Sequence, residues 1–179
     1  MATKIKARQE NKMHKLLTLM VVVLLASCSN TTEKPSTVSA TDRSATVTLL
    51  NPSDFNDIDT GNIGIQSDFE QSVADKLAEA LADHFEGKGV TIDIKFTNID
   101  LAGETRFNMQ EIRVLKDVYI PRMSFEYVIK DADGKVVREE TADIKDMGYL
   151  SRTLFGRAAD EMIGYDKRML VEYFEKVMP

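Results

Sequence analysis

The chain has 179 residues, with 29 Asp and Glu against 23 Lys and Arg, two His, one Cys and no Trp, for a formal charge of −6 at pH 7. One cysteine excludes a disulfide framework within the chain, and two histidines leave little from which to build a zinc site or a Ser-His-Asp triad. The excess of acid argues against nucleic acid as a partner, because phosphate backbones require a basic stripe.

Residues 1–15 carry Lys4, Lys6, Arg8, Lys12 and Lys15 against Glu10, and LLTLMVVVLLAS (16–27) follows without a charge. A basic stretch followed by a short apolar run is the layout of a signal peptide, and the run is too short to span a bilayer, which takes roughly 20 apolar residues. Leu25, Ala26 and Ser27 directly precede Cys28. This resembles the bacterial lipobox, which implies lipidation of Cys28, cleavage before it and acylation of the new amine. Several acyl chains anchor a protein stably where one holds it only reversibly. Ser29 and Asn30 follow, with no aspartate after the modified position. By resemblance to lipoproteins of Gram-negative bacteria, this implies an outer-membrane location facing the periplasm. Loss of residues 1–27 would lower the formal charge to about −10 and leave His84 as the remaining histidine.

Residues 28–45 read as the lipidated cysteine and a flexible tether, since SNTTEKPSTVSATDRSA is rich in Ser and Thr and has no apolar period. A single globular domain is expected over 46–179. TVTLLNP (46–52) alternates and stops at Asn51-Pro52, as a strand does at a turn. From Ser67 to Glu86, Phe69, Val73, Leu77, Leu81 and Phe85 recur every four residues, which predicts an amphipathic helix. Ser67 with Glu70 offers a capping box, and Gly87 and Gly89 a stop. VTIDIKFTNID (90–100) alternates as a half-buried strand, and EIRVLKDVY (111–119) predicts a shorter one. Met123, Phe125, Tyr127 and Ile129 alternate up to DADG (131–134), after which KVVREETA (135–142) returns as a hairpin partner. DMGYLSRTL (146–154) holds a short helical turn. YDKRMLVEYFEKV (165–177) has an apolar stripe at helical spacing. The order predicts an α+β two-layer sandwich, a mostly antiparallel sheet of four to five strands with two main helices on one face.

Chemistry-bearing clusters are sparse. Asp54, Asp57 and Asp59 lie in an acidic loop, 54–62, that could offer oxygen ligands to calcium. Its spacing departs from an EF-hand, and a solvated turn accounts for it, so no metal site and no cofactor are assigned. Asp100 and Glu104 could supply the two carboxylates of a hydrolase, a pairing that 29 acids would produce by chance. Tyr119 and Arg122, in YIPR, place a guanidinium beside a rigid residue, where it could clamp a ligand's carboxylate or pair internally with Asp100 or Asp146. Asp57, Asp100, Tyr119 and Arg122 therefore form the candidate binding patch. His84, near a helix C-terminus, is expected to act as a structural cation at the dipole.

The stretches NPSDFND (51–57), NIDLAGE (98–104), RVLKDVYIPRMSFEYVIKDADGK (113–135), DMGYL (146–150) and YDKRMLVEYFEK (165–176) resemble the bacterial lipoprotein family designated domain of unknown function 3016. The resemblance implies a secreted or lipidated protein and lends no activity. Tyr173 or Phe174 stands where relatives carry a tryptophan. The expectation is a non-catalytic lipoprotein, without assigned catalytic residues, whose periplasmic domain binds another envelope component such as a protein. Alternatives are a small-ligand or calcium-binding domain and a carboxylate-dependent envelope hydrolase.

Overall fold

The computed structural model describes residues 36–60, 64–106 and 112–178. Cys28 and residues 61–63 of the acidic loop lie outside them. The main sheet contains β1 (Thr37–Asp42), β2 (Ala45–Leu50), β3 (Val90–Asp100), β6 (Arg122–Asp131) and β7 (Val136–Lys145), in the spatial order β1-β2-β3-β6-β7. Every neighbouring pair is antiparallel except β2 and β3. That parallel pair is joined by the helix α1 (Gln66–Phe85), as a crossover connection requires. β4 (Glu104–Arg106) and β5 (Ile112–Val114) form a separate two-stranded sheet. A short helix α2 (Arg157–Asp160) precedes α3 (Gly164–Val177). The architecture is α+β with an open, mostly antiparallel sheet, as the alternation of apolar residues predicts.

One face of the sheet is apolar. Val47 and Leu49 of β2, Ile92, Ile94 and Phe96 of β3, and Met123, Phe125, Tyr127 and Ile129 of β6 are all buried. They meet Val73, Leu77, Leu81 and Phe85 of α1 and Met169, Leu170 and Phe174 of α3 in one continuous core. Phe174 stands edge-on to Phe85 and Tyr127, with ring centroids 5.6 and 5.0 Å away. Such a contact adds about 0.5–1.5 kcal/mol to the burial itself. The opposite face is polar, with hydroxyl pairs and ion pairs running between strands. Among the described residues no helix is long and apolar enough to cross a membrane.

Four local expectations change. The tether is interrupted at Thr37, where β1 begins, because Val38 and Ala40 turn toward the core while Ser39 and Thr41 bond to Thr48 and Thr46. An edge strand requires little apolar content, and Thr and Val are good strand formers. The capping box does not form: α1 starts at Gln66, whose amide group bonds the Ile58 carbonyl, the Thr60 N–H and Glu70 instead. The strand expected over 111–119 shrinks to β5 and joins β4 rather than the main sheet. His84 is not a favourable cation, since burial and the ammonium of Lys88, 3.2 Å from its ring, hold the imidazole below its usual range.

Candidate functional site

At one end of the sheet β2, β3 and β7 finish and β6 begins, and the long connections 51–65, 101–121 and 146–163 gather there. A bulge between Phe96 and Asn98 sets the orientation of this end. Uninterrupted alternation from Ile92, Ile94 and Phe96 would turn Asp100 into the core. The extra residue brings Ile99 inward instead and leaves Asp100 on the rim, half-buried.

Asp57 joins the end of β3 through a parallel bridge to Asp100. Its N–H donates to the Ile99 carbonyl, and its own carbonyl accepts from the Leu101 N–H, both at 3.1 Å. The Asp57 carboxylate is held in fork geometry by Arg113, with Nη1 2.8 Å from Oδ2 and Nη2 2.9 Å from Oδ1. Nη1 of Arg113 also donates toward the carbonyls of Leu101, Ala102 and Gly103 at 3.1–3.4 Å. The Arg113 side chain is only 7% exposed and that of Asp57 24%. A buried pair of this kind survives because its remaining donors and acceptors are satisfied. The turn it cements requires glycine: Gly103 has φ of 89°, and a Cβ there would stand 2.8 Å from the Val114 carbonyl oxygen.

Beneath this turn lies Asp166, in the first turn of α3 and fully buried. Its Oδ1 accepts from the Ala102 N–H at 3.0 Å, while Oδ2 has no hydrogen-bond partner. Burial pushes the Asp166 carboxyl up to about 7, against the pull of the backbone donors and of Arg113. Asp100 is also pushed up, by partial burial and then by the Asp57 carboxylate, with Arg122 and Arg113 acting the other way.

The four residues of the expected patch thus come together. Asp57 bridges Asp100, Asp100 pairs in register with Arg122, and the carbonyl of Tyr119 accepts from the Gly103 N–H at 3.0 Å. Arg122 is exposed and acts on Asp100 only through space, so the internal ion pair expected with Asp100 or Asp146 does not form. Asp146 is taken by Arg152 at 2.7 Å and Arg168 at 3.6 Å. Arg168 also donates to the carbonyls of Tyr149 and Arg152, and the Tyr149 hydroxyl donates to the Lys116 carbonyl at 2.6 Å. Arg113 and Asp166 are the organising residues that sequence reasoning missed. An arginine between Ile112 and Val114 reads as one polar position in a strand, and Asp166 reads as an ordinary acidic residue at a helix start. Only the coincidence of both with family-like stretches marked them.

Among the described residues no three His, Cys, Asp or Glu side chains gather to hold a metal ion. Asp57, which a calcium site in 54–62 would need, is committed to Arg113. A hollow of about 730 Å³ lies at mid-sheet on the polar face. Lys130 pairs with Asp93 at 2.6 Å and Lys95 with Glu126 at 3.6 Å, while Glu139 and Glu140 leave its lining acidic.

The chain matches, over residues 44–176, the family described as "Protein of unknown function (DUF3016)", and it belongs to that family. No curated protein and no solved structure matches it.

Proposed function

We propose that this family member is an outer-membrane lipoprotein, anchored through acylated Cys28, whose periplasmic α+β domain is a non-catalytic binding module of the cell envelope. The lipid anchor is supported by the sequence L-A-S-C at the end of an apolar run that follows a basic stretch. The observation that carries the binding reading is the state of the charges at the loop end of the sheet. Asp57 is locked by Arg113, Asp146 by Arg152 and Arg168, and Asp166 is sealed from water. A hydrolase acting through two carboxylates needs both free across a cleft wide enough for the substrate bond and water. Asp57, Asp146 and Asp166 serve instead to stiffen a platform, beside which Asp100 is half-buried and Arg122 exposed.

A stiff platform with an exposed guanidinium suits recognition, since an arginine fork binds carboxylate or phosphate groups with defined geometry. The test has two parts. Radiolabelled palmitate should enter the wild-type protein and not Cys28→Ala, with the wild type floating in outer-membrane fractions. In-cell crosslinking should then recover one envelope component with the wild type and lose it with Arg122→Ala at unchanged protein level. Palmitate labelling that ignores position 28 would remove the anchor. A partner retained by Arg122→Ala would remove the patch.

A further inference from the structure

Exposed large apolar side chains are not scattered over the domain. Among the described residues, all of them except Val136 and Val137 lie on the connections at the loop end. Phe155 is 83% exposed, Met147 72%, Val118 70% and Leu150 37%. Single exposed apolar residues are ordinary, whereas a group on one end is a contact surface. These residues are also not on loose chain. The 116–119 turn is tied to 149 by the Tyr149–Lys116 bond, and Tyr149 packs edge-on against Tyr165 at 5.1 Å. Segment 154–158 is pressed onto the start of α3, where a Cβ at Gly164 would lie 2.2 Å from the Ala158 carbonyl oxygen. The apolar side chains are therefore held outward by a fixed frame.

The chain enters the domain at this same end. Thr37 is paired with Leu50, the last residue of β2, and the Ser36 carbonyl accepts from the Asn51 N–H at 2.8 Å. From Cys28 to Ser36 the backbone can reach about 28 Å fully extended, and as a coil it spans about 16 Å. The six residues of β1 carry the chain about 20 Å away from that entry, toward the opposite end of the sheet. A lipid on Cys28 thus keeps the loop end nearest the bilayer, and the structure places the exposed apolar residues there.

We propose that the loop end docks on the phospholipid surface in which Cys28 is anchored. Val118, Met147, Leu150 and Phe155 enter the boundary between headgroups and acyl chains. Arg122, Lys145 and Arg157, all exposed at the same end, reach the lipid phosphates. Exposed Asp54, Asp59, Asp117 and Asp160 at the same end oppose an anionic surface. Apolar insertion is therefore the driving term, and the docking depends little on salt. This inference rests on the lipoprotein reading, because the tether sets which end approaches the membrane.

The test uses the full chain, processed in cells and reconstituted into vesicles of phosphatidylethanolamine and phosphatidylglycerol. Val118→Cys, Phe155→Cys and, at the far end, Val137→Cys each carry an environment-sensitive fluorophore, and palmitate labelling of Cys28 is measured on the same samples. Docking predicts blue-shifted emission at 118 and 155 that nitroxides on the acyl chains quench, at least about fivefold more than at 137. Replacing Met147 and Leu150 by Ser should abolish that difference while circular dichroism stays unchanged. If Cys28 is labelled yet positions 118 and 155 are as wet and unquenched as 137, docking is wrong and the lipoprotein reading stands. Emission that is shielded from water but untouched by lipid nitroxides would assign this end to contact with a second copy of the chain and overturn the lipid surface. Absence of palmitate at Cys28 would remove the lipoprotein reading, and the tether argument with it.

Discussion

Asp166→Asn separates the cost of burying this carboxylate from everything else at the loop end. The wild-type side chain is fully buried with Oδ2 unpartnered, and burial lifts its pKa from 3.8 to about 7. Because the folded value lies above the unfolded one, between about pH 4 and pH 7 the folded protein holds a proton that the unfolded chain has released. The stability contributed by this group is fully present below the unfolded pKa and is lost as the pH rises through the folded one. The loss has a slope of up to about 1.4 kcal/mol per pH unit and totals about 4 kcal/mol. Glu161 and Glu140, held low chiefly by hydrogen bonds from Lys167 and Arg138, slope the other way, but only as the pH falls below their ordinary range. Asp100, pushed up by burial, slopes in the same direction as Asp166, whereas His84, held low by burial and Lys88, opposes it as the pH falls below the imidazole's ordinary range. Asparagine keeps an acceptor for the Ala102 N–H and has no proton to lose, although its amide N–H groups replace an oxygen that has no partner, at about 1–3 kcal/mol. The variant should therefore be about 1–3 kcal/mol more stable than wild type at pH 8, with most of the wild-type slope between pH 5 and 7 removed. Urea unfolding followed by far-ultraviolet circular dichroism at several pH values reads both effects. A variant that keeps the full wild-type slope, or is less stable than wild type at pH 8, would refute the reasoning.

Arg113→Ala should destabilise the fold by about 3–5 kcal/mol in the same assay, because Asp57 would stay partly buried and charged while the Leu101–Gly103 carbonyls lose their donor. Arg113→Lys should recover only a small part, since an ammonium cannot fork across the carboxylate and reach those carbonyls as well. Gly103→Ala should cost about 1–3 kcal/mol from backbone strain alone, and more from the Val114 contact; a neutral result in thermal unfolding would show that the turn can rearrange. Arg122→Ala should leave stability within about 0.5 kcal/mol, as an exposed residue at a strand end does. Its removal should nevertheless raise the Asp100 pKa measured by NMR, because Arg122 pulls that value down.

What the sequence made legible follows from periodicity. The apolar residues of β3, β6, α1 and α3 repeat at spacings of two or about four over ten or more residues, and each of these elements forms within a few residues of its expected bounds. β1 was hidden because an edge strand of Thr, Ser and Ala has the composition of a linker, and its inward positions, Val38 and Ala40, are small. The gathering of Asp57, Asp100, Tyr119 and Arg122 was legible from strand ends alone. Asp57 finishes the turn after β2, Asp100 ends β3, and YIPR leads into β6. The partner of Asp57 was not legible, since Arg113 reaches it across 56 positions of sequence from a sheet that no alternation announced. The depth of Asp166 was hidden too, because its neighbours Lys167 and Arg168 give that turn a solvated appearance.

The buried network and the exposed surface at the loop end are parts of one device. From Asp57 a continuous path runs through Arg113 to the carbonyls of 101–103, from the Ala102 N–H to Asp166 on α3, and from the Gly103 N–H to the Tyr119 carbonyl. A second path runs from the Pro121 carbonyl to the Asp146 N–H, and from the Asp146 carboxylate to Arg152 and Arg168. Val118 lies within the stretch that these bonds enclose, Arg122 begins the strand that follows it, and Met147 is held between Asp146 and the Gly148 N–H, which donates back to the Asp146 carboxylate. Loops rich in charge but anchored only to water would lose conformational freedom on every contact they made, at about 0.5–1.5 kcal/mol per side chain ordered. Here hydrogen bonds already hold the backbone of the 116–121 and 146–149 turns in the folded domain. The internal ion pairs that hold this end together also suit the contact surface proposed for it. Variants that loosen the buried pair at Arg113 should weaken docking without touching a single exposed residue.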